Sequence, residues 1–481
     1  MNKHKDLICL ITAILIISVC CVFPPLKGLS SSAQRLIGIF VGTVFLWISI
    51  GISWPSLFGM LSLILLLPEI TIKDMLAGSV GNPVITFLIF TFCCSHALEQ
   101  TAFVKRCAVK FLSMRFARKG PWYFTSVYFL SVLVLGSVMS TTVIVLIYLA
   151  LNEEIFSLLQ IKKGDKFAAM LTMCLIITAS ISGAMTPIAH VFPVVAINTY
   201  KSLSGISISY MRYMSAGIPA ALISTVAMIF IFYFVFRPDI SCFYEIDTEM
   251  LKKEVPPVDG REKAIVTIFF MVVAFWILPD LLKSVLPEIS GWFNSMGTAV
   301  PAILGSLLLC VLKGKDGRPL LNLRAGFMSV PWECLFMAAS ALALGAAITN
   351  EKIGLSESII RILKPITESF SGLILVLVLV TITGFMTNLG SNMVTVTIVC
   401  TVALPIVLTI PVGIEAGGLT VVLGMASAYA FATPSAMTTV VLGTGSEWTT
   451  NSQMAKYGLL TLIPCILAIS FVAYPIAAAF C

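Results

Sequence analysis

Charge is scarce in this chain of 481 residues: Asp, Glu, Lys and Arg make up 11% of it, where a soluble protein carries about 25%. With 58% hydrophobic residues and a mean hydropathy of +1.02, a water-soluble fold is excluded. Clustered metal ligands are also missing. The 13 cysteines stand alone or as the neighbours Cys20/Cys21 and Cys93/Cys94, mostly inside apolar segments, with no CxxC or Cys/His spacing. Long polar regions are absent too. The largest, 237–263, is too short to bury a core and reads as a cytoplasmic linker. The first residues, MNKHKDLICLITAILIISVCCVFPPL, run from basic to apolar without the small-residue cleavage site of a signal peptide, so a retained first helix is expected.

What is present is a series of apolar segments separated by short basic gaps. A hydrocarbon core of about 30 Å takes roughly 20 apolar residues per helix, so the length leaves room for about ten to twelve spans. The formal charge of +7 sits in the gaps and reports topology, with no nucleic-acid partner implied. Lys/Arg-rich connections stay cytoplasmic. Starting inside at Met1–Lys5, spans near 6–25, 35–53, 55–70 and 82–104 return the chain to the basic cluster Lys105 to Lys119. A second cluster, Lys162, Lys163 and Lys166, follows one uncharged stretch later.

Both ends of that stretch, 120–152, therefore lie inside. Its 33 residues would measure about 50 Å as helix, too long for one span and short for two. A re-entrant hairpin over 120–160 fits, with its tip at Gly136-Ser137-Val138-Met139-Ser140-Thr141-Thr142. Irregular backbone at membrane depth is tolerated only inside protein or beside a cavity, which makes the tip a site candidate. Residues 167–200 hold no Asp, Glu, Lys or Arg but have a polar middle, Thr178 to Pro187, so a helix broken near its centre is expected.

The second half repeats the plan. Spans 264–284, 297–312 and about 330–349 lead to 46 uncharged residues, 369–414, read as a hairpin over 368–411 entering from outside. Its tip is Thr387-Asn388-Leu389-Gly390-Ser391-Asn392, and a second broken helix, 416–446, carries Ala426 to Thr439 with Pro434 inside it. A last span near 457–479 leaves the C-terminus outside. The expectation is an all-α polytopic membrane protein of about 11 transmembrane helices. It divides into an N-terminal helix and connection (1–34), a first repeat (35–236), the linker (237–263) and a second repeat (264–481) of opposite orientation.

In such inverted repeats, helix N-termini turn positive partial charge toward an anion and freed carbonyls can ligate Na⁺ near the midplane. Hydroxyls and amides suit that task because they carry no charge that is costly in the membrane. For any one residue, Ser, Thr and Gly in membrane helices are ordinary packing residues. Two matched tip-and-break sets in agreement with the charge topology argue for more.

These residues resemble the divalent anion/sodium symporter family over most of the chain, from about residue 35 onward. Asn82-Pro83 followed by Ala97-Leu98-Glu99-Gln100-Thr101 is similar to the family's NP…ALEKTG helix. Ser140-Thr141-Thr142 and Ser391-Asn392-Met393 each keep two residues of its Ser-Asn-Thr tips. Thr186-Pro187-Ile188 resembles the first break, and Ala426-Ser427 with Pro434 the second. The family's TPPN is replaced by His190-Val191-Phe192-Pro193 and by Met437-Thr438-Thr439-Val440.

The resemblance implies an elevator-type carrier of dicarboxylate, citrate or sulfate, usually a homodimer in the cell membrane, with Na⁺ as coupling ion and no other cofactor. Carried over residue by residue, one sodium-like site uses Gly136, Ser140, Thr141 and Gly183, and a second uses Thr387, Gly390, Asn392 and Ala436. Substrate would meet Ser140, Thr141, Thr142, Thr186, Pro187, His190, Ser391, Asn392 and Thr438. His190 is either an anion contact or proton carrier, or a neutral histidine bonded to backbone freed by Pro187 or Pro193. Three alternatives keep this plan: an anion exchanger, a proton-coupled anion carrier, and a cation/proton antiporter of the wider clan. An antiporter would place an Asp at a break, and neither break has one. An integral membrane enzyme would need a positioned acid, base or nucleophile, and apart from His190 the midplane segments offer none. A channel would also fit apolar helices with polar interruptions, but two opposed re-entrant hairpins suit alternating access better.

Overall fold

The computed structural model describes residues 3–239, 256–283, 285–355, 357–358, 372–409 and 413–480. Most of the expected linker, 240–255, and the entry of the second hairpin lie outside them. The described residues are helical, with one isolated bridge between Lys313 and Pro319. The first helices are α1 (Lys3–Val22), α2 (Ser31–Ser49), α3 (Ser53–Leu66), α4 (Ile72–Gly78), α5 (Pro83–Glu99) and α6 (Phe103–Leu112). A hairpin, α7 (Pro121–Gly136) and α8 (Thr141–Leu158), precedes α9 (Lys166–Met185), α10 (Val191–Ser204) and α11 (Tyr210–Ile231), the last prolonged by a π turn, Phe232–Phe236.

The second half begins with α12 (Gly260–Leu282), α13 (Pro287–Met296), α14 (Ala299–Val311), α15 (Leu323–Ser329) and α16 (Trp332–Ile348). Its hairpin is α17 (Gly372–Leu389) and α18 (Asn392–Thr409), followed by α19 (Ala416–Ala428) and α20 (Thr438–Gly445). A final helix runs as α21 (Asn451–Ala468), a π turn and α22 (Tyr474–Phe480). Among the described residues, 8 helices are long and apolar enough to cross a membrane, or 10 if the bent pairs α4/α5 and α15/α16 each make one span.

Apolar residues on every side of a helix require burial on every side. Each residue of α9 from Phe167 to Met185 is buried, as is each residue of α19, so these two half-helices form the centre. By contrast α1 leaves Leu7, Ile8, Leu15 and Val19 exposed along its length, a surface suited to lipid. The halves interlock at the centre, where α10 packs on α19. Gly424 makes that crossing possible, because a Cβ there would stand 3.1 Å from Ala196 Cβ and 3.2 Å from Pro193 Cα.

Several boundaries differ from the sequence reading. The basic connection after residue 104 contains α6, which buries Val104, Ala108, Val109 and Leu112 and leaves its cations to partners outside the core. Lys105 pairs with Glu154 of α8 at 2.8 Å, and Arg106 pairs with Glu262 of α12. The first break falls at the C-terminal end of the expected Thr178 to Pro187 stretch. Helix α9 runs through Ser180, Ser182 and Gly183 to Met185, because Ser182 Oγ bonds back to Ala179 O at 2.7 Å without disrupting the ladder. Only at Thr186 does the chain turn extended (φ −133°, ψ 152°), the conformation that a following proline imposes. The last helix starts at Asn451, six residues before the expected 457, where Thr450 and Gln453 form a capping box.

Candidate functional site

Each hairpin tip is a short interruption between two helices. In the first, α7 ends at Gly136 and α8 begins at Thr141, with Ser140 before it making no side-chain cap bond. Gly136 lies against Ser182, and a Cβ there would come within 2.2 Å of its hydroxyl. Thr186 Oγ1 donates to Ser137 O, tying the tip to the break. In the second, Thr387 Oγ1 donates to Ser427 O at 2.6 Å, joining the tip to the end of α19.

The breaks release backbone groups that need partners. Tyr213 OH donates to Ala184 O at 3.0 Å in the first break. In the second, Ser180 Oγ donates across the molecule to Ala430 O at 3.0 Å. Asn388 uses its whole carboxamide. Its Nδ2 donates to Gly384 O (2.8 Å) and Tyr429 O (2.7 Å), and its Oδ1 accepts from the N–H groups of Phe431 (2.9 Å) and Ala432 (2.8 Å).

Both tips and both breaks border one cavity of about 630 Å³. Ser140, Thr141, Thr142 and His190 line it from the first half, with Ser391, Asn392, Ala436 and Thr438 from the second. Helices α8, α10, α18 and α20 all begin at its wall, and α8, α10 and α20 have no side-chain cap. Uncapped N-terminal N–H groups and aligned peptide dipoles put positive potential there. No Lys or Arg is among the described residues that line the cavity.

Gly136, Gly183, Thr186, Pro187, Thr387 and Gly390 are not among the residues that line this cavity. Thr186 is buried on Ser137, and Pro187 borders only a void of about 30 Å³ beside Ser140 and His190. Gly183 is wedged in place, since a Cβ would be 2.6 Å from Thr141 Cγ2 and 2.8 Å from His190 Cδ2. His190 Nε2 is 3.4 Å from Thr141 Oγ1, its ring stacks on Phe192 at 4.2 Å, and its buried Nδ1 has no partner. In the second half, Asn392 Nδ2 donates to Ala436 O at 2.8 Å and to Thr387 Oγ1 at 3.2 Å, with Thr387 O at 3.3 Å. Gly390 only closes α17, its N–H bonding Met386 O at 2.9 Å.

The family model for the sodium:sulfate symporter transmembrane region matches residues 3–476. The chain belongs to that family. It is similar to a sodium-dependent dicarboxylate transporter, SdcS, of Staphylococcus saprophyticus, with 25% identity over 91% of this chain and 87% of the relative. An uncharacterized transporter of Haemophilus influenzae is 22% identical over 98% of both chains. Among solved structures, the YdaH transporter of Alcanivorax borkumensis has the same fold, with a TM-score of 0.55, 12% identity and 98% of each chain covered. MtrF of Neisseria gonorrhoeae gives a TM-score of 0.53 at 13% identity over 97% of this chain and 94% of that one.

In this member of the family, two elements bring residues to the site that the tip-and-break pattern does not mark. Glu99, at the end of α5, lines the cavity as its one acidic side chain among the described residues and is half-buried. Its place in the NP…ALE stretch was the available signal. Ser329, Pro331 and Cys334, at the bend between α15 and α16, complete the same wall. Nothing local marks them, because only the 67° bend turns them inward.

Proposed function

We propose that the protein is a secondary active transporter of a small di- or tricarboxylate or similar divalent anion, driven by sodium symport through an elevator movement. The observation that carries this reading is the cavity where four helix N-termini and the hydroxyls of Ser140, Thr141, Thr142, Ser391 and Thr438 meet without a fixed cation. Such a site holds an anion by many weak contacts that can be released, and spares the empty carrier the desolvation of an unpaired charge. The repeated hairpin and broken helix support two halves of inverted orientation, and the basic connections support a cytoplasmic N-terminus and an outside C-terminus; a homodimer rests on the family resemblance alone.

Sodium coupling is supported by the second tip. The end of the Asn392 amide faces Ala436 O, Thr387 Oγ1 and Thr387 O. Turned by 180°, the amide places Oδ1 there and closes a ring of uncharged oxygens of the kind hard cations take. At the first tip, Ser140, Thr141 and the backbone of Gly136 and Gly183 are the corresponding candidates. The relatives named as sodium-dependent dicarboxylate transporters point the same way. A proton-coupled carrier is the second reading, favoured by Glu99 and His190 on the cavity wall.

The test is uptake of labelled succinate, citrate, tartrate and sulfate into proteoliposomes under an inward Na⁺ gradient, a proton gradient, or neither. Saturable uptake that follows the Na⁺ gradient is expected. Uptake that follows the proton gradient alone selects the second reading, and no saturable uptake of any anion overturns both.

A further inference from the structure

At the far end of α10 from the central cavity lies a second concave site of about 320 Å³ that shares no lining residue with the first. Along α10, Phe192 of the central cavity and Lys201 of this site are about 14 Å apart. Lys201 of α10, Arg212 of α11, Asp280 of α12 and Lys283 just beyond it line the site. Tyr210 and Trp276 also line it, their rings 5.7 Å apart, and Trp276 is fixed by its Nε1 bond to Thr298 O at 3.0 Å.

The charges in this site are unsettled in two ways. Three cations face one carboxylate, and none of Lys201, Arg212 and Lys283 has an ion pair or side-chain hydrogen bond among the described residues. Asp280 Oδ2 is buried without a donor, an arrangement that costs free energy until a ligand or water supplies one. Clustered cations in a concavity concentrate anions, and aromatic walls favour organic ones over inorganic ones.

We propose that this is a second anion site, which takes a small organic anion bearing two carboxylates and at least one hydroxyl. The carboxylates meet Lys201, Arg212 and Lys283, and the hydroxyl donates to Asp280. A dicarboxylate balances the excess positive charge, and the hydroxyl answers the orphaned acceptor. Because the site is held jointly by α10–α11 and α12, its ligand bridges the helices that lead from the first break to the second half.

The test uses the full chain in nanodiscs of neutral phosphatidylcholine, with malate as the hydroxylated probe and succinate as the probe without a hydroxyl. Tryptophan emission reports binding, and Trp276→Phe identifies the local signal. A saturable malate response is expected to persist in Asn392→Ala and to weaken at least ten-fold in Lys201→Gln/Lys283→Gln, whose exposed positions spare the fold. Asp280→Ala, which removes the acceptor, should erase the preference for malate over succinate. A response unchanged by the lysine pair, or lost in Asn392→Ala, overturns the proposal. So does a response present in neutral nanodiscs but absent in phosphatidylglycerol nanodiscs, which would give the site to a lipid headgroup. Absence of uptake in proteoliposomes with this response intact would sink the transport reading and leave the second site standing.

Discussion

Thr141 Oγ1 and His190 Nε2 stand 3.4 Å apart, so the first hairpin tip and the first break meet through side chains that border the central cavity. A contact at that distance is long for a hydrogen bond and leaves room for a ligand oxygen to compete. With Nδ1 buried and unpartnered, the ring has donor or acceptor capacity in reserve. His190→Gln is expected to raise KM for the transported anion about five-fold, the equivalent of about 1 kcal/mol for one hydrogen bond. Uptake kinetics at several pH values check this, and unchanged KM and pH profile would remove His190 from the site.

Gly183 permits that meeting. A methyl group at 183 would overlap Thr141 Cγ2 and His190 Cδ2, at 2.6 and 2.8 Å. Overpacking of this kind costs about 1–3 kcal/mol. Gly183→Ala should therefore lower the melting temperature in detergent and depress uptake, whereas Gly445→Ala, where a Cβ meets nothing within 4 Å, should do neither.

Asn388 holds the second break open through four bonds. Asn388→Ala orphans two N–H groups and a carbonyl in a dry interior, at about 1–3 kcal/mol each. The expected result is loss of folded protein on size-exclusion chromatography. Asn388→Asp should fare as badly, since a carboxylate cannot donate to Tyr429 O and Gly384 O and adds a buried charge.

Glu99 sets a sign for pH dependence. Its ionised form repels an anion in the cavity that it lines, so uptake should fall as pH rises through its titration and recover as pH drops. Glu99→Gln should flatten that dependence and lower KM at the alkaline end. A variant with the parental pH profile would show that the carboxylate does not face the bound anion.

The sequence by itself determined that the chain lives in a membrane, that it is helical, and where the backbone is interrupted. These are local matters: hydropathy sums over about 20 residues, and Pro187 forces Thr186 extended whatever surrounds it. The hydroxyls of Ser140 to Thr142 and Ser391 and the amide of Asn392 could be marked for the same reason, since small polar residues interrupt bulky runs within each tip. The tertiary structure alone decided which of them face a common space. Thr186 and Pro187 turn behind the wall, Glu99 and Cys334 turn into it, and Asn388 becomes a strut while Asn392, four residues on, reaches the cavity. Those outcomes depend on contacts between residues 40 to 250 positions apart, such as Thr387 with Ser427 and Ser180 with Ala430. A hydrophobic or proline pattern within one segment carries no information about which distant segment will supply the partner.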